Sequence, residues 1–505
     1  MLHRLHRLTA SLLLPLFMLE ATGCTHVVKK PVAEVTPVAK DEIVGITTLA
    51  GVEIKFDATG VVRDDTVRAT AHGAWVIVPV DSVQRWWLRR SNPVATVGLV
   101  AGVTLLAIGI ISVVTYDTPP PQPVDPGTAS CPFVYSWNGT EYVFEAEPFG
   151  GAITHGLERD DYSVLPSLAA DGGRYRLLMI NEMAETQMAN LAELWAIDHA
   201  PGVQVLPDEW GALHTIAAAI PPAIARTQSG TDLTKWLSAD DALIWEPAPV
   251  ADSTGGLQDE VVLTFPRPAN VTQAKLVTRV GTSLWGAHVL RSVLELRGRQ
   301  VQDWYNLIDS SSAAVDSVHS WALQEALYGL EVDVESPGGW EASGVMGGSG
   351  PYMAQTRVVM LELPSATDDS LRIRVRATRG FWAFNYLAVD YSADQPVEVD
   401  TLRLSRGVAS NSSDLVSLLS STDSLYYVMP TTGDRAELEF PNVPLRPGME
   451  RTVLLHTRGF YQLHLQSTTE ADTALLRRIE NVPGATAQYS AMLYQQRPVA
   501  ARPAN

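Results

Sequence analysis

Lysine, cysteine and the short catalytic signatures are scarce in this chain, and each shortage removes a class of protein. Six of its 37 basic residues are lysine, and 56 Asp and Glu leave a formal charge of −19. Phosphate recognition needs clustered Lys and Arg, and the arginines here are scattered, so nucleic acid is not an expected partner. The two cysteines, Cys24 and Cys131, are too few for a disulfide framework or a cysteine-built zinc site. No GxSxG elbow, HExxH helix, Walker A loop or EF-hand loop occurs in the 505 residues. The glycine-rich stretch "GVMGGSGP" (Gly344 to Pro351) is not followed by Lys-Ser/Thr, and reads as a hairpin loop rather than a phosphate cradle. No metal and no cofactor is expected.

What the chain does have is core-building material, 46% hydrophobic against 18% charged, in a length that suits about three domains. It opens with the three parts of a secretory signal. Arg4 and Arg7 make a basic start, Leu8 to Leu19 an apolar core, and Ala21 to Cys24 ("ATGC") a run of small residues before a cysteine. This resembles the lipobox of bacterial lipoproteins. The resemblance implies that residues 1–23 are removed, that Cys24 is acylated and holds membrane lipid, and that Thr25 directs the chain to the outer membrane. Residues 24–40 read as a tether.

Short alternating runs between 41 and 91, among them "EIVGITT", "VEIKF" and "AWVIVPV", predict a small β-barrel. Trp86 and Trp87 are adjacent and so face opposite sides of a strand. Residues 96–116 carry no charge. As a helix they would extend about 31 Å, a transmembrane-like length. Residues 117–128 ("DTPPPQPVDPG" and its neighbour) form a Pro-rich linker. The flanking Arg85, Arg89 and Arg90 and the lipobox each place the body outside the cytoplasm, periplasmic or at the cell surface, whereas a 96–116 helix that stopped transfer after a cleaved signal would leave it cytoplasmic.

The body reads as a β-rich domain over 129–280, a pair of amphipathic helices over 281–329, a β-sandwich or jelly roll over 330–492 and a disordered tail over 493–505. Asn138-Gly139 between alternating strands predicts a hairpin with a type I′ turn. The fold class expected is therefore mainly β, with two inserted helices. "CPFVYSWNG", "YVFEAEPFGGA", "GLERDDY" and "NEMAETQ" resemble a segment of uncharacterised predicted bacterial lipoproteins, and "PGMERTVLLHTRGFYQLH" resembles one that accompanies it. That resemblance implies an address and no chemistry. "RVVMLELPSATDDSLRIRVRATRGFWAFNYLAVDY" is similar to the strand pattern of galactose-binding-like sandwiches.

Two groups of residues are candidates for a site. His155, Glu158, Asp160 and Asp161 lie together in "THGLERDDYSVLP", and Glu182, Glu185 and the Asp198-His199 pair join them if their strands are neighbours. Such a set suits a carboxylate–histidine metal site or an acid/base pair for glycosidic chemistry. It better suits a hydrogen-bonded loop with Arg159 as a local ion-pair partner. The second group is aromatic: Trp340 and Tyr352 bracket the glycine loop, and Trp382 follows in "FWAFNY". Exposed rings stack on sugars, yet Trp382, Phe384 and Tyr386 share one face, the pattern of a core. The expectation is a non-catalytic envelope lipoprotein that binds or scaffolds. Its partners are membrane lipid, through Cys24 and 96–116, and an envelope glycan or protein. The rival expectation is a glycan-active enzyme using Glu158 and Asp160.

Overall fold

The computed structural model describes residues 25–31, 42–49, 53–63, 66–71, 74–91 and 132–497, apart from 242, 253–254, 365–368 and 466–467. Residues 1–23, expected as a signal peptide, Cys24, the 96–116 segment, the expected linker 117–128, Cys131 and residues 498–505 lie outside the described residues. Among those described, no helix is long and apolar enough to cross a membrane. The chain divides into two units, Met1–Thr118 and Pro119–Asn505.

Six antiparallel strands form the first unit: β1 (Thr25–Pro31), β2 (Glu42–Thr48), β3 (Glu53–Arg63), β4 (Thr66–Ala71), β5 (Ala74–Pro79) and β6 (Val83–Ser91). They pair in the order β1-β6-β2-β3-β4-β5. Alternation along β6 sends Trp86 and Leu88 into a small core with Ile43, Ile46, Phe56 and Val67. Trp87 faces the other way over Gly45 and donates from Nε1 to Thr47 Oγ1 at 2.9 Å. The expected tether 24–40 begins instead with β1, laid along β6 from Ser91 to Arg85. Its backbone satisfies groups that β6 would otherwise present unpaired.

The second unit carries the rest. Its first half runs β7 (Phe133–Trp137), β8 (Tyr142–Ala146), β9 (Arg159–Val164), β10 (Arg174–Ile180), β11 (Glu185–His199), β12 (Gln204–Pro207), β13 (Leu213–Ile216) and β14 (Ile224–Thr227). After the short helix α1 (Thr234–Leu237) come β15 (Gln258–Pro266) and β16 (Gln273–Thr282), then three helices, α2 (Leu284–Glu295), α3 (Val301–Ser310) and α4 (Ser312–Gln324). Five strands follow: β17 (Gly329–Ser336), β18 (Gly339–Gly347), β19 (Gln355–Glu362), β20 (Ser370–Thr378) and β21 (Trp382–Asp390). The chain ends through β22 (Glu398–Arg403), β23 (Arg406–Ala409), α5 (Leu415–Leu418), β24 (Tyr427–Met429), β25 (Arg435–Pro441), β26 (Glu450–Leu463), α6 (Thr473–Asn481) and α7 (Ala485–Gln496).

These strands build two sandwiches, as the mainly-β reading requires. In the first, sheet β23-β25-β10-β7-β8 faces sheet β22-β11-β26-β9 over Leu177, Met179, Leu194, Leu438, Phe440 and Leu455. In the second, sheet β14-β15-β20-β17-β18 faces β19-β16-β21 over Leu263, Leu276, Ile373, Val375, Trp382 and Leu387. The helices α2, α6 and α7 add Val289, Leu476 and Tyr489 to that second core. The sandwiches are nested in sequence: β11 pairs with β26 along almost its whole length, so the second sandwich is an insertion into the first. The segments 129–280 and 330–492, expected as separate domains, each supply strands to both. Alternation says which face a residue takes but not which strand lies beside it.

Three local expectations change. Asn138-Gly139 does form a hairpin, but only Gly139 takes positive φ (97°), and Asn138 instead accepts through Oδ1 from the amides of Thr140 and Glu141. The turn is thus an Asx-capped loop rather than type I′. The second of the two expected amphipathic helices is split, because Ser311 is extended (φ −139°, ψ 109°) and caps α4 by accepting from Ala314 N. The expected tail 493–505 begins inside α7, which continues to Gln496.

Candidate functional site

Strand β9 divides the acidic motif between two faces. Asp160 and Tyr162 point out of the first sandwich and Asp161 points in, where it is buried. Opposite them on β26 stand Arg458, His456 and Thr457. On β11, Glu193 is paired with His456 and Trp195 with Leu454. The outer face therefore carries a continuous polar row. Glu158 accepts from Tyr426 Oη and Arg458 Nε, each at 3.0 Å. Asp160 accepts from Arg458 at 2.6 Å and lies 2.9 Å from His456 Nε2. His456 Nδ1 lies 3.0 Å from Glu193. The Tyr162 ring stacks on His456 with centroids 4.6 Å apart and planes 12° from parallel, and Trp195 leans on both.

Burial works against a charge on His456, but its hydrogen bonds to Glu193 and Asp160 outweigh that and push its pKa above the usual histidine range. The same hydrogen bond holds Glu193 below the usual carboxylate range. When the ring is protonated both nitrogens donate, and the row is then an ion-pair network with its partners matched.

A one-residue bulge explains why Glu185 is not part of it. The β11–β26 register shifts between Ala189 and Leu191, so Asn190 is the extra residue. Beyond the bulge Glu193 and Trp195 face out; before it Glu185 and Gln187 face in, buried, with Gln187 Nε2 donating to Glu185 at 2.7 Å. Glu185 there shares the interior with Asp161 and Glu147, a residue the sequence reading did not single out.

This interior group lies where the sandwiches meet. Arg357 on β19 is buried and binds Asp161 at 2.8 Å and also Glu209. Arg159 binds Glu209 at 2.6 Å and donates to Gly150 O at 3.2 Å. Burial raises the Glu209 carboxyl, but the two guanidinium groups outweigh it and leave it below its ordinary value. Glu147 Oε2 accepts from the amides of Tyr352 (2.6 Å) and Met353 (3.1 Å). Burial, reinforced by Glu185 and Asp161, pushes its carboxyl well above the usual range.

The remaining expected site residues are dispersed. His155 is exposed on a one-turn 3₁₀ helix and packs edge-on against Tyr426 and Phe460. Glu182 accepts from Tyr135 Oη at 2.6 Å. Asp198 is buried under Arg446 and Arg451, and His199 binds Thr452 at 3.0 Å. The three aromatics do not form a platform. Trp382 is in the core and donates to Ala326 O at 2.6 Å. Trp340 lies beneath Arg374 at 4.7 Å, and Tyr352 packs on Phe133 at 5.3 Å between centroids. Among the described residues no group of three His, Cys, Asp or Glu is placed to hold a metal ion.

No family model matches this chain, and no curated protein does. Among solved structures, an arabinofuranosyltransferase (AftD) from Mycobacteria is similar at 11% identity with a TM-score of 0.17. The match covers 89% of this chain and 31% of that one, so this chain spans less than a third of it. A triple jelly-roll protein of an archaeal virus turret is similar at 7% identity and a TM-score of 0.13, covering 68% of this chain and 98% of that one.

The residues that matter most here and escaped the sequence reading are Glu147, Glu193, Arg357, His456 and Arg458. His456 and Arg458 alternate in "LLHTRGF", which signals a shared face. Nothing local signals that β9 lies beside them.

Proposed function

We propose that the chain is a non-catalytic bacterial envelope lipoprotein whose body binds or scaffolds. The observation that carries this reading is the matching of the outer row: Glu158 and Asp160 are each bound to Arg458 and to a second donor, Tyr426 or His456. A glycosidic acid needs a carboxyl kept protonated near neutral pH, and its partner needs a free oxygen for water or sugar. With their oxygens taken by Arg458 and by Tyr426 or His456, Glu158 and Asp160 leave no such oxygen free. Acylation of Cys24 supplies the anchor in this reading, with membrane lipid as one partner and an envelope glycan or protein as the other.

The test uses the full chain purified in detergent, a glycan array and a panel of glycan substrates. Binding without turnover is the expected result. Turnover that disappears in Glu158→Gln or Asp160→Asn would overturn the reading in favour of a glycan-active enzyme. The anchor is tested separately: Cys24→Ser should stop incorporation of labelled fatty acid.

A further inference from the structure

We infer that the Glu147 carboxyl is a latch between the two sandwiches, holding them together while it is uncharged and releasing them when it ionises. Glu147 follows β8 in the first sandwich, and the two amides it binds, Tyr352 and Met353, belong to the loop that leads into β19 of the second. Loop and carboxyl are fitted to each other. A Cβ on Gly350 would come within 2.2 Å of Glu147 Cδ, and one on Gly150 would meet Ser349 and Gly350 at 3.0 Å. The carboxyl is 1% exposed, and among the described residues its Oε1 has no hydrogen-bond partner. A buried carboxylate oxygen with no donor is far more costly than a buried carboxylic acid.

The surroundings offer no counter-charge. β9 contributes Asp161 and Arg159, β11 contributes Glu185, β19 contributes Arg357, and the β12–β13 turn contributes Glu209. Tyr461 on β26 and Tyr328, just before β17, line the small cavity at Gly150 and Gly350 beside it. Both arginines are already committed to Asp161 and Glu209. Glu185 and Asp161 add negative potential at Glu147. The proton therefore stays on Glu147 beyond the ordinary carboxyl range.

The direction of the pH effect follows. In an opened seam Glu147 meets water and titrates near its ordinary value of 4.5; in the closed seam it keeps its proton to higher pH. The closed form thus binds more protons across that interval, and closure weakens as pH rises through it. One linked proton changes the opening constant by up to about tenfold per pH unit. Below the interval the latch is fully closed. The chain passes between the sandwiches from β11 to β14, from β21 to β22 and from β26 to α6, and these connections stay in place when the seam is released.

The test is hydrogen–deuterium exchange on the full chain from about pH 5 to about pH 9, corrected for intrinsic rates, with the linkage slope as the readout. Protection of a peptide spanning 348–354 should fall as pH rises, up to about tenfold per unit within the interval, while one spanning the β11–β26 ladder stays protected. Glu147→Gln keeps the shape without the charge, and its 348–354 protection should be flat. Equal pH dependence in the wild type and in Glu147→Gln would overturn the inference, as would a flat wild-type profile. If Glu147→Gln does not fold, infrared spectroscopy of the wild type decides. A protonated carboxylic C=O band that fades in step with the protection supports the latch, and its absence at the acid end defeats it.

Discussion

Arg357 Nη2 and Asp161 Oδ1 meet at 2.8 Å in the interior, one from each sandwich, with Glu209 on the other side of the same guanidinium. The pair fixes how the inserted sandwich sits on its host, because β19 and β9 each bring one partner. Removing the cation alone leaves a buried carboxylate, and that costs more than the pair is worth. Arg357→Met should therefore destabilise the body by about 3–5 kcal/mol in denaturant unfolding. The double substitution with Asp161→Asn should recover part of that loss. A single-mutant loss below about 1 kcal/mol would show the ion pair to be incidental.

His456 should make the outer row pH-sensitive. Its raised pKa means that the imidazolium is favoured in the folded state. The stabilisation is fully present below the ordinary histidine value of 6.5 and is lost as pH rises through the raised folded value. The melting temperature should therefore decline above neutrality, and His456→Gln should remove that part of the decline. Proton NMR of the His456 ring gives the midpoint directly, and a midpoint at or below 6.5 would contradict the network described here.

The β7–β8 turn isolates a backbone effect. Gly139 has φ +97°, and nothing lies within 4 Å of the place a Cβ would occupy. Any loss on substitution is therefore conformational, and Gly139→Val should cost about 1–2 kcal/mol. An unchanged melting temperature would mean that the turn relaxes to negative φ.

Much of this fold could be read from alternation, and the limits were physical. "GLERDDYSVLP" separates Asp160 and Tyr162 from Asp161 by period alone, and the structure puts them on opposite faces. The same rule puts Trp382 in the core, as its face-sharing with Phe384 indicates. What period cannot supply is the neighbour. His456, the centre of the outer row, is 296 residues from Asp160, and no local pattern announces the pairing. Nor does "TQMANLAEL" mark Asn190 as a bulge, yet that residue moves Glu185 from the expected cluster to the interior. A glutamate in "FEAEPFGG" carries no local sign that a second sandwich covers it.

The turn between β12 and β13 places two adjacent residues under opposite constraints. Asp208 Oδ1 accepts from the amides of Trp210 (2.8 Å) and Ala212 (2.9 Å), and Glu209 is gripped by Arg159 and Arg357. The turn is therefore rigid, yet the Trp210 side chain it carries is 85% exposed. Exposed side chains contribute little to folding, so Trp210→Ala should change stability by less than about 0.5 kcal/mol. Gly211, next along, has φ +84°, and a Cβ there would fall 2.4 Å from Tyr162 Cζ. The ring cannot yield freely, because its other side is stacked on His456. Positive φ and overpacking act together, and Gly211→Ala should cost about 2–4 kcal/mol. The loss should be accompanied by a lower His456 pKa, since displacing Tyr162 loosens the imidazolium from Glu193 and Asp160. Thermal melts of the two variants, with the His456 titration of Gly211→Ala, check both halves. A Gly211→Ala protein as stable as the wild type, with its histidine unmoved, would show that the turn does not bear on the outer row.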